Sequence, residues 1–526
     1  MQLKIKQLSL AVGSALAAGF AGHALALPPS AFDVNTSEIF MSGSSGQDAG
    51  IPVAMARMCL PGTLDVYTDT SNFNAFFCSA NPTVIPGLTN SKIVLYKSSA
   101  GGSGNGVTPL IGAGTSLTFQ SMATIKATPT LCVATTAQGS VTISGDPLGV
   151  PSYGRNNCSG TQTQSHVPDA GASDEEPQWF TDTTTGVSGA TKNALVFGFA
   201  VSENLYRALQ TMQALNATDT NADTTGLSSS VTGISGLPVR DNEANMPSLS
   251  RGVIGALMNG DILSWTSLRG PAGQQMTPTD SIVYIARRVN TSGTQKWSQQ
   301  FLYGGITDPT LAVRCYTGAR AMLTATVATS SSANGTGDCG NAGVNGNPND
   351  ANFNPVFQGS GSGDVRNCLA AHNGGGRFAI GIISTESTYT NQTTTPGGFR
   401  FIKVDGKSPS LFNVVTNQYK SWVEQSLNTS GTLRAGDPTK VINALFTTMG
   451  STSDIRALNQ ATPQPWGFGP LLQLPTLTAP TYPPGGLTQD NVQLTPINYY
   501  TKQGSGAVDN CQPAMPFNGL TDVQAD

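Results

Sequence analysis

The sequence predicts an α/β protein of more than one lobe, and three observations carry that prediction. Short runs of apolar and β-branched residues alternate with helical patterns along the chain. A length of 526 residues exceeds what one hydrophobic core covers. Only 11% of residues are charged while Gly (60) and Pro (32) are plentiful, a composition of long polar loops rather than of a helical bundle.

The chain opens with a secretory leader pattern. Lys4 and Lys6 precede an apolar run over 8–20, and Ala24-Leu25-Ala26 supplies small residues for cleavage, so residues 1–26 are expected to be a signal peptide. The run is too short to cross a bilayer, no cysteine stands at the cleavage point, and no second long apolar stretch follows. The expected product is periplasmic or secreted, without a membrane anchor.

Strands are expected over 38–41, 93–96, 194–201, 282–286, 378–383 and 399–404, several of them continuous apolar runs suited to a sheet covered on both faces. The clearest helix is 250–259, where Val253, Ile254 and Leu257 share a face, a serine caps the start and Gly260 ends it. Two stretches, 329–355 and 475–489, read as loops from their Ser, Asn, Gly and Pro content.

The net charge of −4 becomes more negative once a leader with two lysines is removed, which argues against nucleic acid as a partner. All eight cysteines, Cys59, Cys78, Cys132, Cys158, Cys315, Cys339, Cys368 and Cys511, follow the leader, and an even number in an oxidising compartment reads as disulfides. Closing the shortest loops first pairs neighbours: Cys59 with Cys78, Cys132 with Cys158, Cys315 with Cys339, and Cys368 with Cys511. There is no C-x-x-C, and only His166 and His372 follow the leader, so neither a metal site nor a cofactor is expected.

Four Gly/Ser turns carry the candidate chemistry. Ser42-Gly43-Ser44-Ser45-Gly46-Gln47-Asp48 follows the first strand and precedes an apolar stretch, and Ser98 to Gly106 follows the second. Gly171-Ala172-Ser173-Asp174 is the third; Arg288-Val289-Asn290-Thr291-Ser292-Gly293-Thr294 is the fourth. A guanidinium, two hydroxyls and the free N–H groups of a helix start are donors for a tetrahedral oxyanion. The bland alternative for the last turn is a solvent-facing arginine beside an ordinary Ser or Thr helix cap.

In this order the turns resemble the phosphate-binding proteins that serve ABC importers, of the type II periplasmic-binding-protein fold. Ser42 to Gly46 is similar to that family's opening turn, Ser103-Gly104-Asn105-Gly106 to its Ser-Gly-Gly loop, Gly171 to Asp174 to its Gly-Ala-Ser-Asp, and Arg288 to Thr294 to its Arg-x-x-x-Ser-Gly-Thr. The resemblance spans most of 37–427 and implies two α/β lobes with a ligand cleft between them and long loop insertions. Lobe one would hold 27–195 and 400–526, with an insertion at about 108–170 and a C-terminal extension; lobe two would hold 196–399. It also implies that Ser44, Ser45, Gln47, Ser103, Asp174, Arg288, Ser292, Gly293 and Thr294 line an anion pocket. Asp174, which can only accept, would favour an oxyanion that keeps a proton.

The implied ligand is inorganic phosphate or a similar oxyanion, the implied partner an importer permease, and no catalytic residue is expected. The family's Thr-Phe pair falls here on Gln47 and Asp48, which leaves the identity of the anion open. Two alternatives stand beside this reading: a secreted structural protein that keeps the fold without transport, and a phosphatase-like relative. The second lacks visible parts, since no G-x-S-x-G and no His cluster occurs.

Overall fold

In a computed structural model the described residues are 26–517, without 70–71, 144, 160–161, 183–185, 226–235, 305–321, 324–334, 338, 340–354, 389–397, 432, 475–481, 484, 503–508 and 512. Residues 1–25 of the expected leader, Cys315 and most of the two expected loops lie outside the described residues.

The first lobe is built on β1 (Thr36–Gly43), β2 (Asp65–Thr68), β3 (Phe73–Ser79), β4 (Lys92–Ser98) and β5 (Ala170–Ser173). β1 lies parallel between β4 and β5, and β3 and β2 extend the sheet in antiparallel fashion beyond β4. Alternation along the pleat explains why the runs are continuously apolar. Ile39 and Met41 of β1 enter the main core, Phe40 the cluster on the other face, and Ile93 and Leu95 of β4 separate from Val94 and Tyr96 in the same way. Helix α1 (Gly50–Met58) follows the opening turn and buries Ile51, Met55 and Met58 against the main core.

β6 (Val187–Ser202) is 16 residues long and belongs to both lobes. Helix α2 (Arg251–Met258), β7 (Tyr284–Arg288), α3 (Gly293–Tyr303), β8 (Val356–Gly359), α4 (Ser362–Gly374) and β9 (Ala379–Ser384) form the second lobe. β7 runs parallel between β8 and β9, and β9 pairs with the far half of β6. The near half of β6 pairs antiparallel with β10 (Trp422–Ser430), which also pairs with β5. Hydrogen bonding is therefore continuous from one lobe to the other. Over 194–197 the side chains of β6 alternate between the two cores, Leu195 and Phe197 packing in the first and Ala194 and Val196 in the second; from Phe199 to Val201 they pack in the second alone.

Residues 399–401 pair with β6, and Leu411, Val414 and Tyr419 pack in the second core, so the chain returns to the first lobe at β10. Beyond it, α5 (Asp437–Thr448) and α6 (Thr452–Gln460) pack on the first core, while Trp466, Leu472 and Tyr500 join the second. The extension thus spans both lobes. Its Lys502 donates to the Trp422 carbonyl at 2.7 Å and sits 3.4 Å from the Trp297 ring centroid.

Several expectations shift. The strand expected at 282–286 is Tyr284–Arg288, because its ladder with β8 continues to the pair Arg288 and Gly359, and backbone carbonyls accept from both buried arginines. Within the expected loop 329–355, Gly335–Gly337 is a short strand on β8. Cys59–Cys78 and Cys132–Cys158 pair as expected, the second across facing strands. Cys368 pairs with Cys339 rather than with Cys511, and so Cys339 is not paired with Cys315. Helix α4 carries Cys368 beneath the edge of the sheet that ends in Gly335–Gly337, and that proximity outweighs loop length; Cys511 is also disulfide-bonded.

Candidate functional site

The carboxyl ends of β1, β4, β5, β7 and β8 converge where the lobes meet, the place where parallel sheets present ligand sites. Glycine makes the convergence possible. Gly43 has φ +106° and a Cβ there would lie 2.1 Å from the Ala172 carbonyl, while a Cβ on Gly106 would lie 2.0 Å from the same oxygen. The 98–106 loop is thereby pressed against β5. Asn428 of β10 fixes it by donating to the Gly106 carbonyl at 3.1 Å.

Arg288 ends β7 with 1% exposure. Its guanidinium donates to Ser45 Oγ at 3.0 Å across the lobe boundary, to Ser362 Oγ at 3.2 Å and to the Ser360 carbonyl at 2.6 Å. Burial lowers its pKa from the usual arginine value, opposed by Asp174, Asp364, Asp48 and Glu386. The solvent-facing alternative for this arginine is excluded by its burial.

Asp174 faces it from the first lobe. Ser44 Oγ and Gln425 Nε2, the latter at 3.3 Å, donate to Oδ1; Thr294 Oγ1 of the second lobe donates to Oδ2 at 3.2 Å. The Asp174 N–H donates to Ser103 Oγ at 3.1 Å, which leaves the Ser103 hydroxyl proton available. Three of the roughly four lone-pair sites of a carboxylate are taken.

Ser292 and Gly293 sit at the N-terminus of α3. Ser292 holds the N-cap position without making the side-chain cap bond, and its buried Oγ has no partner. A Cβ on Gly293 would lie 2.7 Å from both Asp174 Cβ and Ser103 Oγ, so only glycine lets this helix end approach the first lobe. Gln47 is 1% exposed, and neither its amide nitrogen nor its amide oxygen has a partner. Orphaned buried donors of this kind are costly, roughly 1–3 kcal/mol each, and cluster where a ligand satisfies them.

Ser44, Ser45, Ser103, Asp174, Arg288, Ser292, Gly293 and Thr294 are thus linked through shared hydrogen bonds or close contacts, and Gln47 lies in the same turn as Ser45. Further cross-lobe bonds run from Gly104 N to the Thr291 carbonyl at 2.8 Å and from Gly101 N to Ser360 Oγ at 3.0 Å.

Sequence reasoning missed Lys97. Its ammonium is fully buried beneath the opening turn, donating to the Gly43 and Ser44 carbonyls at 3.0 Å each and to Ser99 Oγ at 2.8 Å. Asp48 lies 3.6 Å from it and accepts from Ser99 Oγ at 2.7 Å, so this second carboxylate of the opening turn is paired. Burial lowers the Lys97 pKa and raises that of Asp48, and their mutual attraction opposes both shifts. Ser360 and Ser362 were also missed, although Gly359 to Asp364 is a fifth Gly/Ser turn between a strand and a helix.

Among the described residues, Glu176, Asp509 and Cys511 bring metal-type donor atoms together. Cys511 is in a disulfide, and Glu176 already accepts from Trp179 at 2.7 Å and from Asn510, so the set does not suit an ion. Among the described residues, no helix is long and apolar enough to cross a membrane.

No protein-family model and no curated protein matches the chain. Solved structures do. A candidate phosphate ABC transporter substrate-binding protein with bound phosphate from Clostridium perfringens is 13% identical, with TM-score 0.37, over 80% of this chain and 98% of its own. PstS from Borrelia burgdorferi is 10% identical, with TM-score 0.29, over 81% and 97%. A phosphate binding protein from Stenotrophomonas maltophilia is 12% identical, with TM-score 0.30, over 66% and 83%. These are proteins of the kind that the motif order resembles; the fold assignment here stands on strand order and register, a pair of α/β lobes joined by crossing strands.

Proposed function

We propose that this chain is an exported substrate-binding protein that holds a tetrahedral oxyanion, phosphate first, between its lobes and delivers it to an ABC importer. The observation that carries the reading is the meeting of Arg288 from one lobe with Ser45 and Asp174 from the other, beside the unpartnered Ser292 hydroxyl. The guanidinium supplies charge and paired donors, and the serines, Thr294 and the free N–H groups at the start of α3 complete a donor shell. Asp174, an acceptor only, selects an anion that still carries a proton and disfavours sulfate. Pairing of Asp48 with Lys97 removes the objection that a second carboxylate would repel the ligand.

A ligand that binds only the folded chain raises its melting temperature. The reading predicts a rise with phosphate that sulfate does not reproduce. No rise with either anion contradicts it.

One observation favours the structural alternative: the Arg288 guanidinium donates to four protein groups. A scaffold of that kind melts at the same temperature with and without phosphate.

A further inference from the structure

A cleft of about 320 Å³ opens between the lobes directly beyond Ser45 and Ser362, the two hydroxyls that also receive Arg288. That volume is at the lower end of small-molecule sites, about 300–1,000 Å³, and well beyond what five heavy atoms of an inorganic oxyanion need. Its walls are made for hydrogen bonding. Asn72 and Asn74 line it from the first lobe, Asp364 and Asn367 from the second, and Tyr153 adds an aromatic surface. Thr68 and Asn74 are register partners on β2 and β3, so both side chains leave the same face of the sheet into the cleft.

Charge narrows the occupant. The lining holds the carboxyl groups of Asp48, Asp69, Asp364 and Glu386 beside the guanidiniums of Arg155 and Arg366, and Asp48 is already paired with Lys97. Such a surface has no surplus of positive charge for a second anionic group, whereas carboxyl groups and amide carbonyls accept from hydroxyls and the amide NH2 groups donate to them.

We infer that the cleft receives the organic part of a phosphomonoester, a small hydroxylated ester of the sugar or polyol phosphate class, whose phosphoryl group lies against Arg288, Ser45 and Ser362. The inference rests on the oxyanion reading above and names its substrate class. The hydroxyls of Ser45 and Ser362, 3.2 Å apart, form the end wall of the cleft, and the phosphoryl group lies against that wall with the ester oxygen turned towards Asn72 and Asn74.

The test is calorimetric titration of the mature chain with glucose 6-phosphate, glycerol 3-phosphate, inorganic phosphate, inorganic pyrophosphate and glucose. Expected is an ester affinity at least about tenfold above that of phosphate, with no binding of glucose and none of the gain for pyrophosphate. Asn74→Phe, or Thr68→Trp should the first variant fold poorly, fills the cleft and is expected to remove the ester advantage while leaving phosphate affinity within about twofold. Phosphate binding with no ester advantage, or an ester advantage that survives both variants, overturns the inference and leaves the oxyanion reading standing. A folded chain that binds neither phosphate nor ester overturns both.

Discussion

Asp174 of the first lobe accepts a hydrogen bond from Thr294 of the second at 3.2 Å, and the helix that begins beside Thr294 comes this close only because residue 293 is glycine. In the proposed reading one carboxylate therefore acts both on ligand choice and on the approach of the lobes. Asp174→Asn replaces an acceptor-only group with one that also donates. Phosphate affinity is expected to fall by about ten- to a hundredfold, the scale of a charge-assisted hydrogen bond, while sulfate affinity rises. Titration of both anions against the variant checks this, and unchanged selectivity would remove Asp174 from its role.

Lys97 holds the opening turn from below. Removing its ammonium leaves Asp48 and two carbonyls without their partner, so Lys97→Met is expected to cost roughly 2–4 kcal/mol of stability, reduced from the full cost of a broken buried pair because Asp48 is partly exposed. Denaturant unfolding measures it. A variant as stable as the parent would show that the turn stands without this lysine.

Burial, with Asp48 beside it, pushes the Glu386 carboxyl up to about 8 from its ordinary value of 4.5. Between those values the folded chain keeps a proton that the unfolded chain has released, so this group's contribution to stability is lost as pH rises through the window. Glu386→Gln cannot ionise. Its melting temperature relative to the parent is expected to climb from about pH 5 to about pH 8, and a flat difference over that range would contradict the assignment.

Cys59 and Cys78 close a loop with a sequence separation of 19, both of them buried in the first lobe. Replacing both by alanine is expected to cost roughly 3 kcal/mol, mostly through a freer unfolded chain. Chemical denaturation of the double variant tests that figure, with a cost near zero as the contrary result.

The sequence made the site partly legible because its residues fall in strand-to-helix turns that can be read locally. Arg288, Ser292, Gly293 and Asp174 are set off by glycine, and the apolar runs of β1, β4 and β9 announce a sheet covered on both sides. What escaped depends on register. Lys97 reads as one lysine at the end of an apolar strand until Met41 of β1 is known to face it, and only then does its ammonium lie under Gly43 and Ser44. Gln425 and Asn428 reach the site because β10 lies against β5, a pairing made across about half the chain. The expected partners of Cys339 and Cys368 failed for a related reason: loop-closure entropy changes slowly with length, so the placement of Cys368 on its helix decided the partner.

The most direct test of the central claim is calorimetric titration of phosphate into the chain without residues 1–26 and into its Arg288→Ala variant, with circular dichroism confirming that the variant is folded. The account predicts saturable phosphate binding in the parent and its loss in the variant. Equal binding by both proteins, or none by the parent, would contradict an oxyanion site built on Arg288.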